Sequence, residues 1–181
     1  MERSEAANAL HEVDRARRRS GALRGYAHAG STVIVWGVIW LLCNLATYFI
    51  KDGNLSWMIG IPVGVLWSVA RPYFARSERP EPADLRIPFS IFAALGFLGL
   101  VMTVTDAAAS YAQQNVLISL LVAVAYVLLG IWTGLRFALL GLALTLVICL
   151  GWFAFPATLL LWLGLGGGGA LILGGIWLAR A

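Results

Sequence analysis

Six apolar stretches dominate this chain, at about residues 31–50, 55–70, 88–105, 116–133, 137–155 and 157–179. An α-helix needs about 17–25 mostly apolar residues to cross a bilayer, and five of the stretches meet that length directly. The second is short, contains Pro62 and ends at Arg71. An arginine at that position snorkels to the interface and lengthens the span. With 60% of its 181 residues apolar and 12% charged, the chain carries more apolar surface than one soluble core of this size can cover. Disordered, collagenous, coiled-coil and disulfide-scaffold classes are excluded by the same composition. Cys43 and Cys149 both lie in apolar stretches, where thiols act as small hydrophobes.

The basic residues test the number of crossings. Arg3, Arg15, Arg17, Arg18, Arg19 and Arg24 precede the first stretch, and Arg76, Arg79 and Arg86 follow the second, with Arg71 at its edge. Arg136 follows the fourth stretch and Arg180 ends the sixth. Six single crossings put all of them on one side and leave Lys51 alone on the other. The positive-inside rule makes the arginine side cytoplasmic, whereas four or five crossings would scatter the arginines over both faces. The expected fold is therefore an all-α membrane protein. It has six transmembrane helices in three antiparallel hairpins, a cytoplasmic amphipathic N-terminal helix and both termini cytoplasmic. The first stretch reads as an uncleaved helix rather than a signal peptide. The preference for Arg over Lys, with abundant Ala, Leu and Gly, suggests a bacterial chain and hence the inner (plasma) membrane.

The chain divides into four parts. Residues 1–29 form an Arg-rich cytoplasmic segment in which Ala6, Leu10 and Val13 share a helical face. Residues 30–72 form a transmembrane hairpin. Residues 73–87 form a cytoplasmic linker, and Pro72, Pro80 and Pro82 break any continuous helix through the loop 71–87. Residues 88–181 form a four-helix bundle. Arg15, Arg17, Arg18 and Arg19 lie just cytoplasmic of the first helix. Each would add about 1 kcal/mol of attraction to anionic lipid headgroups; the same cluster suits an acidic partner surface. Nucleic acid is not an expected partner, since no nucleic-acid-binding motif surrounds the cluster.

The six helix centres contain no Asp, Glu, Lys, Arg or His. Ionisable groups at depth mark proton relays, ion paths and catalysis, so a proton-coupled carrier, an intramembrane protease and a haem protein are all disfavoured. No catalytic residue, cofactor or metal site is expected. His28, beside Tyr26 at the mouth of the first helix, reads as an interfacial anchor. The most polar groups near or within the membrane are Asn44, Tyr48 and Tyr126, with Asp106 at the outer end of the third helix. They read either as interhelical hydrogen-bonding groups or as the lining of a polar ligand cavity. Trp36, Trp40, Trp67 and Trp162 lie deep, and their indole N–H groups need partners.

The sixth stretch contains the run Gly166–Gly169. Gly164 and Gly168 are one small-xxx-small pair; Gly166, Ala170 and Gly174 extend another, and Gly60 and Gly64 repeat it in the second helix. Such faces let backbones approach closely, within the chain or between copies. A helix small on nearly every side implies two neighbours or local unwinding.

Residues from about 14 to 76 resemble the bacterial 2TM domain family. The likeness is carried by the basic approach at Arg17–Arg19, Gly25–His28, Asn44 in the first helix, Trp57, the Gly60–Gly64 segment, and Tyr73 and Phe74 at the exit. The second-helix histidine common in that family is absent here. The resemblance implies an inner-membrane helical hairpin that accompanies other modules. The stretch Leu120–Trp132 is similar to one in six-helix acid-stress membrane proteins. Two functions are expected in consequence. The first is a non-enzymatic membrane protein acting by association, as an accessory, assembly or regulatory subunit, partnered by itself or by another membrane protein. The alternative is a small carrier or channel for a neutral, amphipathic or lipid-like substrate.

Overall fold

The computed structural model describes residues 29–74, 86–105 and 110–180. Arg15, Arg17, Arg18, Arg19, His28, Asp106 and most of the proline-containing linker lie outside the described residues. Among the described residues the chain is helical and has no strand. Six helical rods follow one another: α1 Ala29–Phe49, α2 Ser56–Phe74, α3 Arg86–Thr105, α4 Tyr111–Thr133, α5 Leu135–Ala154 and α6 Pro156–Ala179. All but α3 are reckoned long and apolar enough to cross a membrane over the described residues, and α3 itself runs for 20 residues. The rod α6 is composite. A 3-10 turn at Pro156–Thr158 leads into α-helix at Leu159–Trp162, a π turn at Leu163–Gly168, and α-helix again at Gly169–Ala179.

The ends of the rods have local causes. Ser110 is extended, and its hydroxyl accepts the Gln113 N–H at 3.3 Å, capping α4. Gly134 alone joins α4 to α5, with φ 134° and ψ 158°. That backbone is open to glycine and strained for any L side chain. Between α1 and α2, Asp52 takes the left-handed conformation at φ 64°, which aspartate tolerates better than most residues. Gly53 then folds back so closely that a Cβ would overlap the Ala46 carbonyl. Pro156 opens α6 at a position whose N–H has no helical partner to lose.

The tightest packing is between α1 and α6. A Cβ built on Gly168 would lie 2.9 Å from the Leu41 backbone nitrogen and 3.0 Å from the Gly37 carbonyl. One on Gly175 would lie 2.7 Å from the Gly30 carbonyl, and one on Gly37 would lie 2.9 Å from the Ile172 nitrogen. Residue numbers rise along α6 as they fall along α1, so the two backbones touch over most of their length. The other large contact, α4 with α5, brings Gly141 against the Ala123 carbonyl and Gly130 against Ala138. Buried apolar side chains come from α1 (Val33, Trp40), α4 (Ala123), α5 (Leu144, Ile148) and α6 (Leu163, Leu171). Among the described residues α2 and α3 supply no fully buried apolar side chain, and they flank this core.

Glycines on both α1 and α6 let the first helix enter the core of the C-terminal part, so the two share one interior. Inside lipid, helices associate by such packing because the tails are as apolar as the side chains.

Gly175→Val places a branched side chain where backbone already sits. It is expected to lower stability in detergent by about 1–3 kcal/mol or more, the usual cost of overpacking. Gly169 meets nothing within 4 Å, so Gly169→Ala is expected to be neutral or to stabilise by up to about 1 kcal/mol through helix propensity. Unfolding titrations of both variants test the difference; equal effects would mean the glycine face is not a contact.

Candidate functional site

The deep polar groups gather at the end of the bundle where α1 finishes and α4 begins. Asn44 is fully buried. Its amide N–H donates to the Trp40 carbonyl at 2.9 Å, one turn back on α1. Its side-chain oxygen accepts from Asn115 Nδ2 at 3.0 Å, which ties α1 to α4. Ser119, also buried, donates to the Asn115 carbonyl at 2.6 Å. The α6 backbone closes the other side: a Cβ on Gly164 would sit 3.1 Å from Asn44 Cβ. In hydrocarbon an unpaired amide is costly, and here the asparagines satisfy each other.

Two indoles continue the theme. Trp36 lies over Gly64 of α2 and donates to Ser68 Oγ at 3.1 Å, while Ser68 donates to the Gly64 carbonyl at 2.7 Å. Trp162 of α6 lies over Gly151 of α5, donates to the Val147 carbonyl at 2.7 Å, and stacks on Phe155 at 4.7 Å. In both cases the missing Cβ of a glycine admits the ring, and the ring N–H bonds another residue of that glycine's helix, Ser68 of α2 or Val147 of α5. Trp40 packs edge-on against Trp57 at 5.8 Å. The fourth deep tryptophan, Trp67, is exposed on α2.

The other residues singled out from the sequence are placed apart from Asn44. Tyr48 is exposed, edge-to-face with Phe49 at 4.8 Å. Tyr126 stacks on Phe137 of α5 at 6.3 Å. It stands eleven residues beyond Asn115 on α4, about 16 Å along a helix. Of the glycines, Gly60 faces Ile39 and Cys43 of α1, Gly64 faces Trp36, and Gly164 and Gly168 face α1. Gly166 faces Val147 and Gly174 faces Leu140, both on α5; Ala170 packs against the core. Arg136 reaches from the α4–α5 turn to the end of α6. There it donates to the Trp177 carbonyl at 3.3 Å and lies 5.0 Å from the indole centroid.

Asn115 and Ser119 are the members of this site that the sequence does not single out: Asn115 precedes the apolar stretch that starts near 116, and Ser119 is a lone hydroxyl within it. The signal was present. Ser110-Tyr-Ala-Gln113 is a capping-box spacing, and starting α4 there puts Asn115 on its second turn. Among the described residues no group of His, Cys, Asp and Glu could hold a metal. Two surface grooves are apolar. One is lined by Thr158, Leu161, Trp162, Leu165 and Gly166, the other by Val116, Leu120, Ile148, Cys149, Trp152 and Phe153. Neither is lined by Asn44, Tyr48 or Tyr126.

Comparison with protein families, curated proteins and solved structures gives no match.

The asparagine pair carries a direct test. A double-mutant cycle of Asn44→Ala and Asn115→Ala is expected to show a coupling of about 0.6 kcal/mol, with about 1.7 kcal/mol as the upper reach for such bonds in membranes. Tyr48→Phe with Asn115→Ala is expected to show none. A zero coupling for the asparagines would dissolve the site.

Proposed function

We propose that this chain is a non-enzymatic, multi-pass protein of a bacterial inner membrane that acts by association, as an accessory, assembly or regulatory subunit. The observation that supports this reading is the use of the deep polar groups. Asn44, Asn115, Ser119, Trp36 and Trp162 are all engaged in holding one helix to another or in bracing the helix that does so. A carrier needs polar groups turned toward a path. Here the two grooves are apolar and neither is lined by Asn44, so a carrier for a neutral or lipid-like substrate is the less supported reading. Catalysis is less supported still, since no charged side chain lies among the polar ties.

In this proposal the six helices form three hairpins, α1–α2, α3–α4 and α5–α6, with both termini cytoplasmic. Arg136, Arg180 and the arginines of the N-terminal segment then meet the anionic leaflet, and Lys51 faces outward. The α1–α2 pair serves as a 2TM-like hairpin joined to the rest through the α1–α6 contact. Association with a partner falls to the Arg-rich segment and to surfaces not consumed within the bundle.

Lys51 is the sole lysine and is exposed in the α1–α2 connection, which makes orientation measurable. A membrane-impermeant amine reagent is expected to label the Lys51 peptide in intact spheroplasts. Labelling only after permeabilisation would invert the topology. Function is tested by recovering the full chain from native membranes in mild detergent and weighing the complex. A stoichiometric second protein, lost when residues 2–20 are deleted while membrane insertion persists, is the expected result. A lone chain carrying one enriched lipid or small molecule would favour the carrier.

A further inference from the structure

The end of α6 gathers residues from three parts of the chain. A Cβ built on Gly30 would lie 2.7 Å from the Ala179 nitrogen, so α1 starts there. The turn between α4 and α5 reaches the same end. Its Arg136 donates to the Trp177 carbonyl at 3.3 Å and lies 5.0 Å from the centroid of the Trp177 ring. Arg180, three residues beyond Trp177, is exposed. Two arginines far apart in sequence thus meet at one helix end. Lys51 lies beyond the opposite end of α1.

Arg136 is half-buried, with a carbonyl and an aromatic ring fixing its position. Ordering a long side chain normally costs free energy on binding, and here the fold has already ordered it. A guanidinium carries five N–H donors in a planar fork, and one carbonyl does not exhaust them. The fork matches phosphate oxygens, and such charge-assisted bonds are about twice as strong as neutral ones. The surface that continues from this corner is apolar. Trp177, Leu173 and Gly169 are four residues apart in one α-helix, so they share a face. Trp177 and Leu173 are exposed, and a Cβ on Gly169 would meet nothing within 4 Å among the described residues. This face runs for about 12 Å along the helix, against about 15 Å for the hydrocarbon of one leaflet. Beyond it lies the apolar groove of Thr158, Leu161, Trp162, Leu165 and Gly166. An exposed tryptophan at the end of a span marks the headgroup level. Cationic groups at that level, above an apolar strip one leaflet deep, match a ligand with a phosphate at one end and a hydrocarbon chain at the other.

We propose that Arg136, seated on Trp177, and Arg180 bind the phosphate of one anionic phospholipid, whose acyl chain lies along Leu173 and Gly169 of α6. Basic pockets at helix ends select headgroups of this kind. The lipid would clamp the α4–α5 turn to the end of α6. The site rests on the reading of the chain as membrane-spanning, and it holds whether or not a second protein associates.

Native mass spectrometry of the purified full chain tests this, with titrations of phosphatidylglycerol and of phosphatidylcholine carrying the same acyl chains. One phosphatidylglycerol is expected to bind about tenfold more tightly than phosphatidylcholine, the scale of one hydrogen-bonded charge. Arg136→Gln and Arg180→Gln are each expected to reduce that preference. Arg136→Lys is expected to reduce it less than Arg136→Gln, since the charge remains and the fork is lost. Lys51→Gln leaves it unchanged. Inorganic phosphate in large excess is expected not to displace the lipid, because the acyl chain also holds it. Equal binding of the two lipids overturns the proposal. So does a preference that survives both arginine substitutions, which would place the lipid elsewhere, as a carrier's cargo. Displacement by phosphate would give the site to a soluble anion, and an equal loss with Lys51→Gln would reduce the preference to general charge attraction; either overturns the proposal. Should Arg136→Gln lower the unfolding midpoint, Arg180→Gln at the exposed helix end decides alone. Loss of a second protein on deleting residues 2–20 is a separate readout, so failure of the lipid site is distinguishable from failure of the association reading.

Discussion

The contact between the α1 and α6 backbones positions everything else in the bundle. In hydrocarbon no solvent squeezes apolar helices together, so attraction must come from close dispersion contacts and from hydrogen bonds between helices. Gly30, Gly37, Gly168 and Gly175 supply the first by giving up a Cβ where the opposite backbone comes closest. The cost is conformational, because glycine loses more freedom on folding than any other residue. That cost is bearable here because α6 is held from a second side. Its Trp162 is locked over Gly151 of α5 by a 2.7 Å bond to a main-chain carbonyl. The π turn lies between these two attachments, at the stretch where α6 satisfies both neighbours at once.

Polar ties then set the register that glycine faces leave loose. A smooth seam lets two helices slide; a buried Asn cannot slide without losing its partner. Asn44 therefore acts on α1 as a pin, engaged by Asn115 from α4 and backed by α6 at Gly164. Trp36 with Ser68 does the same for α2. These groups are few and sit on different helix pairs, so each fixes one degree of freedom. This economy is what turns the reading away from transport. A transport path needs polar atoms with unspent valence facing a cavity, whereas Asn44, Asn115, Ser119, Trp36 and Trp162 spend theirs on the fold.

Much of this fold was legible beforehand. The apolar stretches set the number and approximate limits of the helices, since hydrophobic length is a direct physical requirement of a span. Of the four tryptophans expected at depth, Trp40 is buried and Trp36 and Trp162 are half-buried, whereas Trp67 is exposed on α2. What a sequence of this kind withholds is the choice of partner. Gly164 and Gly168 announce that some backbone approaches closely, yet nothing in their spacing names α1 rather than α5 or a second copy. Asn44 was visible as a polar group at depth, but its pairing with Asn115 depended on the start of α4. Hydropathy placed that start late because Gln113, Gln114 and Asn115 are polar. Tyr48 shares a helical face with Asn44, yet it is exposed. It lies one turn nearer the end of α1, where a shared face no longer means a shared environment.

The same packing limits how copies of this chain, or a partner, can meet it. Small-residue stripes in membrane helices invite association between molecules, and Gly60, Gly64, Gly164, Gly166, Gly168 and Gly174 have the spacing for it. Each is already occupied within the chain, by Ile39, Cys43, Trp36, Asn44, Val147, Leu41 or Leu140. A second molecule could reach them only by unseating α1 or α5, which would expose the asparagine pair and the Trp162 tie to lipid. In the proposed association, contact falls to surfaces that leave this core intact. The helices α2 and α3, which add no buried apolar side chain among the described residues, meet that condition. A substitution that weakens partner binding without loosening the bundle belongs on those surfaces, whereas one in the glycine seam would weaken both together.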